Sequence, residues 1–197
     1  TAIRRKNNEK YVLDRLFEYY KNRDYEKAKE KLLQSFKNNN YKKYFDEYKK
    51  MKEFLSDVDW KKVEPEIINE AKIKSIYDYM NICLDKGMKD TVIGIISAPP
   101  KNQWGYCTYS NFDSFAEKLE KDYPNEILDY YYKRAYIKIP NGDRKTYKEA
   151  VRYLKKVKHI YSKYLKDVDK WTQTLNNLRI EFRNRPAFID EVKKSKI

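Results

Sequence analysis

Basic side chains are concentrated between residues 144 and 166, where nine Lys or Arg residues accompany a single acid. Six of them recur on one side of a helical pattern and are called the basic ridge: Lys148, Arg152, Lys155, Lys156, Lys163 and Lys166. Such side chains neutralise phosphates or carboxylates, with an affinity that falls steeply with salt and carries little sequence information. The pattern predicts either a surface for an anionic partner or a solvated helix face. We favour the solvated face, because net charge specifies function weakly.

Two arginines of the next predicted helix, Arg179 and Arg183, extend the basic ridge if the two helices pack as a hairpin. The aromatic residues between the ridge positions fall on the opposite, packed side of the pattern, among them Tyr147, Tyr161 and Tyr164. Single-stranded nucleic acid needs exposed rings for stacking, so this placement argues against such a ligand.

An aromatic loop follows two prolines and displays Trp104 and Tyr106 on either side of a glycine. Trp and Tyr are enriched in interface hot spots, so these two residues are candidate anchors for a partner. Long loops in compact domains usually pack by their own side chains, and we therefore favour a Trp104 that covers the end of a helix pair.

Residues able to hold a metal or act as nucleophiles are sparse. The chain has one histidine, His159, which falls among the basic residues, and two cysteines, Cys83 and Cys107. Cys83 lies in an apolar run and is predicted to be a buried thiol. The sequence has no phosphate-binding glycine loop and no HExxH or nucleophile-elbow motif. We therefore expect no catalytic residues, no metal and no cofactor.

The composition favours an all-α fold. Only 4 of the 197 residues are Gly, and apolar residues recur at helical rather than alternating spacing. The 20 Tyr residues are expected to fill much of the core with their hydroxyls at its wet edge. The net charge of +14 favours acidic partners such as nucleic acid, an acidic protein or an anionic surface. No leader or membrane-length apolar run is found, so we expect a cytoplasmic location.

Local signals predict about ten helices joined mostly by short turns. Asp24 is an N-cap candidate and Gly87 a C-cap, while prolines at 65, 124 and 186 suit first turns. Asp57 to Asp59 is expected to separate two helices, and the acid pairs Asp57 with Asp59 and Asp167 with Asp169 are interpreted as helix-start signals. Thr146 and Glu149 are spaced as a capping box, which predicts that the basic helix spans residues 147–166.

Two segments resemble the second helix of a tetratricopeptide unit. Residues 22–36 and 145–157 each carry a Tyr three residues before an Ala and a Leu four after it. We expect irregular stacked helix hairpins, similar to an α-solenoid, in a single domain over residues 1–197. A sub-boundary near 99–111 is an alternative.

The tail from Tyr123 to Val192 resembles the C-terminal helical region of SWIM zinc-finger proteins. The resemblance rests on Tyr147 to Ala150, the run at 153–156, Trp171, Leu178-Arg179, and the segment from Arg185 to Glu191. It implies a helical interaction region behind a CxC and CxH zinc motif that binds DNA or protein. That motif is absent from this chain, so its zinc function is not carried over. The chain also starts without Met in a charged helical context, and we expect it to be a domain of a longer protein.

These observations predict a non-enzymatic helical-repeat interaction module. A protein partner is favoured, because stacked hairpins offer an extended concave surface that fits a helix or peptide. The alternative is an accessory domain that binds nucleic acid through the basic helix 147–166.

Overall fold

A computed structural model describes residues 2–38, 43–98, 112–140 and 142–197, with side chains from residue 9 onward. Within these ranges the chain forms eleven α-helices and one π-helical segment, and the prediction of an all-α fold is confirmed. The helices are α1 (Ala2–Tyr20), α2 (Tyr25–Asn38), α3 (Tyr44–Phe54), α4 (Asp57–Lys74), α5 (Ile76–Asp85), α6 (Lys89–Ser97), α7 (Asp113–Leu119), α8 (Pro124–Tyr136), α9 (Arg144–Ile160), α10 (Val168–Glu181) and α11 (Pro186–Lys194).

The helices belong to two compact units, residues 1–88 and 89–197. This division falls before the predicted sub-boundary near 99–111, which lies outside the described residues. The single helical-repeat domain and its solenoid-like stacking stay predictions.

The first unit contains α1 to α5, and α1 packs most extensively against α2. The predicted cap at Asp24 is confirmed, because its carboxylate accepts the Lys27 amide at 3.1 Å. Gly87 ends α5 with a positive φ of 72°. The Gly87 amide donates to Leu84 and the Met88 amide to Cys83, which satisfies two free carbonyls of the last turn.

Of two predicted helix starts in the first unit, one is confirmed and one is wrong. Asp57 and Asp59 lie in the first turn of α4 as helix-start residues, and the Ser56 hydroxyl caps this helix by accepting the Asp59 amide. Pro65 lies inside α4 rather than in a first turn. Pro65 is exposed and has no backbone N–H, so α4 lacks one helical hydrogen bond at this position. The helix nevertheless continues to Lys74.

The apolar stripe of α1 is narrower than its spacing predicts. Phe17 is buried and its ring meets Phe54 edge-on at 4.9 Å. Tyr11 and Val12 belong to the same apolar pattern, but they are 63% and 53% exposed. Three-to-four-residue spacing therefore overestimates how much of α1 is covered.

The second unit contains α6 to α11, and its most extensive helix pairing joins α8 and α9. Ala150 and Leu154, at the positions shared with the tetratricopeptide pattern, have no exposed surface. The matching Ala28 and Leu32 of α2 are equally buried. Both segments are thus the second helix of a closely packed pair, where the small Ala permits close approach.

The start of α9 differs from the predicted capping box. The N-cap is Asp143, whose carboxylate accepts the Thr146 amide at 2.7 Å and the Thr146 hydroxyl at 2.8 Å. Glu149 instead accepts the Lys138 ammonium at 2.7 Å. The helix therefore begins three residues before the predicted Tyr147. Gly142 precedes the cap, and a Cβ there would lie 2.5 Å from the Lys138 carbonyl oxygen.

The end of the basic helix is also not regular. The α-helix stops at Ile160, and residues Tyr161–Leu165 form a π-helical turn. Lys166 ends this turn in the left-handed region with φ of 56°. The predicted basic helix 147–166 is thus an α-helix followed by a π-turn.

Buried tyrosines of the second unit donate hydrogen bonds to carboxylates. The Tyr130 and Tyr153 hydroxyls donate to the two oxygens of Asp113, at 2.9 Å and 2.8 Å. The Tyr131 hydroxyl donates to Glu120 at 3.0 Å. Burial, reinforced by these carboxylates, raises the pKa of Tyr130 and Tyr131, so both stay protonated donors. This network joins α7, α8 and α9 and holds α9 in place.

Candidate anion-binding groove

A groove of about 310 Å³ lies between α9 and α11 and brings together side chains that are distant in sequence. We call it the α9–α11 groove. Its lining consists of Lys148, Val151, Arg152 and Lys155 from α9, Glu191 and Lys194 from α11, and Ser195. Four of these side chains are cationic and one is a carboxylate. The groove therefore carries a strong positive charge.

Helical spacing and packing place the α9 cations along one side of the groove. Lys148 and Arg152 are four residues apart, which separates them by about 6 Å along the helix axis, and Lys155 follows after about 4.5 Å. The packed side of α9 buries Tyr147, whose ring lies 5.9 Å from that of Phe188 on α11. This ring contact holds α11 beside the cationic side of α9.

Lys148 and Lys155 are the groove cations without an ion-pair partner in the part of the chain that the structure describes. Both are exposed, and no carboxylate of the described ranges lies within 4 Å of either ammonium. Arg152 is held loosely, with Nη2 3.8 Å from the Asp113 carboxylate and 3.5 Å from the Tyr153 hydroxyl. Lys194 donates to Asp190 at 2.7 Å. Two of the four cations therefore have their full charge available to a ligand.

The one carboxylate of the lining is already engaged. Glu191 is only 8% exposed and accepts from Arg144 Nη1 at 3.5 Å. The neighbouring Asp190 lies outside the lining and is bonded to Lys194, which lowers the pKa of that carboxyl. Both carboxylates hold cations of α9 and α11 in place, and the groove remains suited to an anion.

The structure places the other members of the basic ridge elsewhere. Lys156 donates to Glu117 at 2.6 Å and lies 4.6 Å from the centre of the Tyr131 ring, so it links α9 to α7 and α8. Lys163 lies in the π-helical turn and Lys166 at its end; both are exposed, and neither lines the groove.

The two predicted arginines of the following helix are not part of the groove lining either. Arg179 on α10 is half-buried, and its Nε has no hydrogen-bond partner within the described part of the chain. Arg183 is exposed just beyond the end of α10. The extension of the basic ridge onto these arginines stays a prediction.

Aromatic rings near the ridge are mostly packed, and the predicted packing is confirmed for Tyr147 and Tyr161. Tyr147, Tyr153 and Tyr161 are buried, and Tyr164 is half-buried with its ring edge-on to His159 at 5.8 Å. None of the first three is open for a base to stack on. His159 itself is exposed.

A second cavity of about 360 Å³ lies in the same unit and is lined by residues of α6 and α8 with Ile137. Its charged residues are mixed in sign, with Glu126 and Asp129 against Lys133 and Arg134. Lys133 and Asp129 pair at 2.6 Å. This cavity has no excess of either charge and is less selective for an anion than the α9–α11 groove.

Several predicted features fall outside what the structure describes. The candidate anchors Trp104 and Tyr106, and also Cys107, lie in residues 99–111 and are not described. Over the described ranges, no three His, Cys, Asp or Glu side chains are grouped so that they could hold a metal ion. Over the same ranges, no helix combines the length and apolarity needed to cross a bilayer.

Sequence reasoning missed the α11 side of the groove. Lys194 and Glu191 lie almost forty residues beyond Lys155, and no local pattern links them to α9. The available signal was the apolar stripe of α11, which includes Phe188 and Val192 and predicts packing of this helix without naming its neighbour.

The chain was compared with known proteins by a scan against protein-family models, a search of curated proteins and a search of solved structures, and none of the three finds a match. The resemblance to the C-terminal region of SWIM zinc-finger proteins therefore stays a prediction.

Proposed function

We propose that this chain is a non-enzymatic interaction module that binds an acidic segment of a protein partner in the α9–α11 groove. The observation that carries the proposal is the convergence of Lys148, Arg152, Lys155 and Lys194 around one groove whose single carboxylate is engaged. A helical-repeat architecture, a relation to SWIM zinc-finger proteins and a cytoplasmic location belong to the same proposal.

The apolar part of the lining supports a peptide ligand. The methylene stems of the lysines, with the small exposed part of Val151, provide surface for the side-chain carbons of glutamate or aspartate, while the ammonium groups meet the carboxylates. Charge complementarity of this kind steers association and selects against basic partners. An acidic extended segment or helix fits these requirements.

A nucleic-acid ligand is supported less well. Lys156 is bonded to Glu117, which interrupts the basic ridge as a continuous track for a phosphate backbone. The buried Tyr147 and Tyr153 offer no stacking platform. Nucleic acid is therefore treated as the alternative outcome of the test.

The test compares two charge reversals of equal size. Lys148→Glu with Lys155→Glu changes the groove, and Lys163→Glu with Lys166→Glu changes the basic ridge outside it. A fluorescent polyglutamate peptide and a single-stranded RNA oligonucleotide are titrated by anisotropy. Two lost charge-assisted contacts at about 1.5 kcal/mol each, and about 1.4 kcal/mol per tenfold, predict roughly a hundredfold loss of peptide affinity in the groove variant.

The ridge variant is expected to bind the peptide within about threefold of the wild type, because exposed charges at a distance contribute little. If the chain binds RNA more tightly than polyglutamate, and both variants weaken RNA binding to the same extent, the basic ridge is a nucleic-acid site. Equal peptide affinities of the wild type and the groove variant would refute the groove.

A further inference from the structure

We propose that the anion recognised in the α9–α11 groove is the phosphoryl group of a phosphorylated serine or threonine within the acidic segment. This inference rests on the proposed function and names the ligand of the same site.

The charge of the lining favours a dianion over a carboxylate. Four cations and one carboxylate face the groove, and the carboxylate, Glu191, is held by Arg144. A glutamate or aspartate side chain brings one negative charge, whereas a phosphoserine brings about 1.5 to 2 at neutral pH. A phosphoryl group therefore neutralises more of the excess charge from a single position of the ligand.

The arrangement of donors also suits a phosphoryl group. The ammonium groups of Lys148 and Lys155 each carry three donors and are bonded to no carboxylate of the described residues. The two lysines are seven residues apart, which is about two turns of α9, and Arg152 lies between them in sequence. A phosphoryl group has three strong acceptor oxygens and accepts from several directions at once, whereas a carboxylate has two oxygens in one plane.

Arg152 is the residue best placed to discriminate between the two anions. Its present contacts are long, 3.8 Å to Asp113 and 3.5 Å to the Tyr153 hydroxyl, and its guanidinium lies 5.1 Å from the centre of the Tyr153 ring. The ring contact orients the guanidinium without using its hydrogen-bond donors. Two N–H groups are thus available for a bidentate contact with phosphoryl oxygens.

The experiment uses the full chain and a peptide library with a fixed central residue and acidic residues enriched at the flanking positions. Three versions of the library carry serine, phosphoserine or aspartate at the centre, and the best-bound sequence is then titrated in all three forms. We expect the phosphoserine form to bind at least tenfold more tightly than the other two. In Arg152→Gln this preference is expected to fall below threefold, while Lys163→Gln retains it.

The outcomes separate this inference from the proposed function. If all three peptide forms bind equally and the double variant Lys148→Glu with Lys155→Glu loses this binding, the phosphoryl preference is overturned. The acidic-segment site then remains in place. Binding of none of the forms overturns both. A phosphoserine preference that survives unchanged in Arg152→Gln and in the groove variant also overturns the inference, because the phosphoryl group then binds elsewhere.

Discussion

Removing the hydroxyl of Tyr153 tests whether the tyrosine–carboxylate network fixes α9. Tyr153 is 1% exposed, and its hydroxyl donates to Asp113 at 2.8 Å. The same hydroxyl accepts from Arg134 Nη2 at 3.1 Å and from Arg152 Nη2 at 3.5 Å. In Tyr153→Phe the ring remains, so its contacts with the Tyr131 ring at 6.2 Å and with the Arg134 guanidinium are kept. The substitution therefore isolates the three hydrogen bonds of the hydroxyl.

The size of the loss in stability follows from the charge on the groups that bond to the Tyr153 hydroxyl. A hydrogen bond to a charged group contributes about 1.5–3 kcal/mol, and a buried donor left without that acceptor adds to the loss. We expect Tyr153→Phe to lower the free energy of opening of α8 and α9 by about 2–3 kcal/mol. At about 1.4 kcal/mol per factor of ten, this is roughly a thirty- to hundredfold increase in the open population.

Hydrogen-exchange mass spectrometry of peptides from α8 and α9 measures this opening directly. The matched control is Tyr136→Phe, which removes a hydroxyl on the same helix pair that donates to Glu181 at the exposed surface. The control is expected to change exchange much less. An equal effect of the two substitutions, or an increase below about threefold in Tyr153→Phe, would refute the structural role assigned to the network.

Two further predictions concern the start of α9 and alkaline pH. The Asp143 carboxylate caps α9, so Asp143→Ala is expected to speed amide exchange in the first turn of α9 more than Thr146→Ala does; the reverse order would support the capping box. Burial and the Glu70 carboxylate raise the pKa of Tyr44 from 10.0 to about 12, so the folded state favours the protonated form and its contribution to stability is complete below pH 10 and lost as pH rises towards 12. Between these pH values, the free energy of unfolding measured in urea is expected to fall more in the wild type than in Tyr44→Phe. Parallel dependence of this free energy on pH in the two proteins would contradict the assignment.

Helix positions were largely predictable, because caps and apolar spacing act within a few residues. Asp167 caps α10 by accepting the Lys170 amide at 2.9 Å, in line with its interpretation as a helix-start signal. Trp171, Leu175, Leu178 and Phe182 recur at helical spacing and are all buried. Signals of this kind do not depend on which helix lies opposite.

Competition between neighbouring caps was not predictable from spacing alone. Both Asp143 and Thr146 have an oxygen suited to an N-cap, and Glu149 stands at the right distance to complete a box with Thr146. In the structure Asp143 is the cap, because its carboxylate accepts the Thr146 amide. The Glu149 carboxylate instead accepts a hydrogen bond from Lys138, just after α8. That contact depends on the pairing of α8 with α9, which no local pattern specifies.

Only the α9 side of the groove was predictable from the sequence, because the rest depends on how the helices pack. Lys148, Arg152 and Lys155 share one side of a helix and were identified together. Separating them from Lys156 required the position of Glu117, and adding Lys194 required the packing of α11. Tertiary contacts thus decide which basic residues are neutralised and which remain available.

The most direct test of the central claim follows the Val151 methyl groups by NMR during a titration with polyglutamate. Val151 lies in the groove lining, whereas Val168 is exposed on α10 outside it and serves as the internal control. Binding in the groove predicts a saturable shift of the Val151 methyl signals while those of Val168 stay in place. Unmoved Val151 signals at saturating peptide would contradict the account.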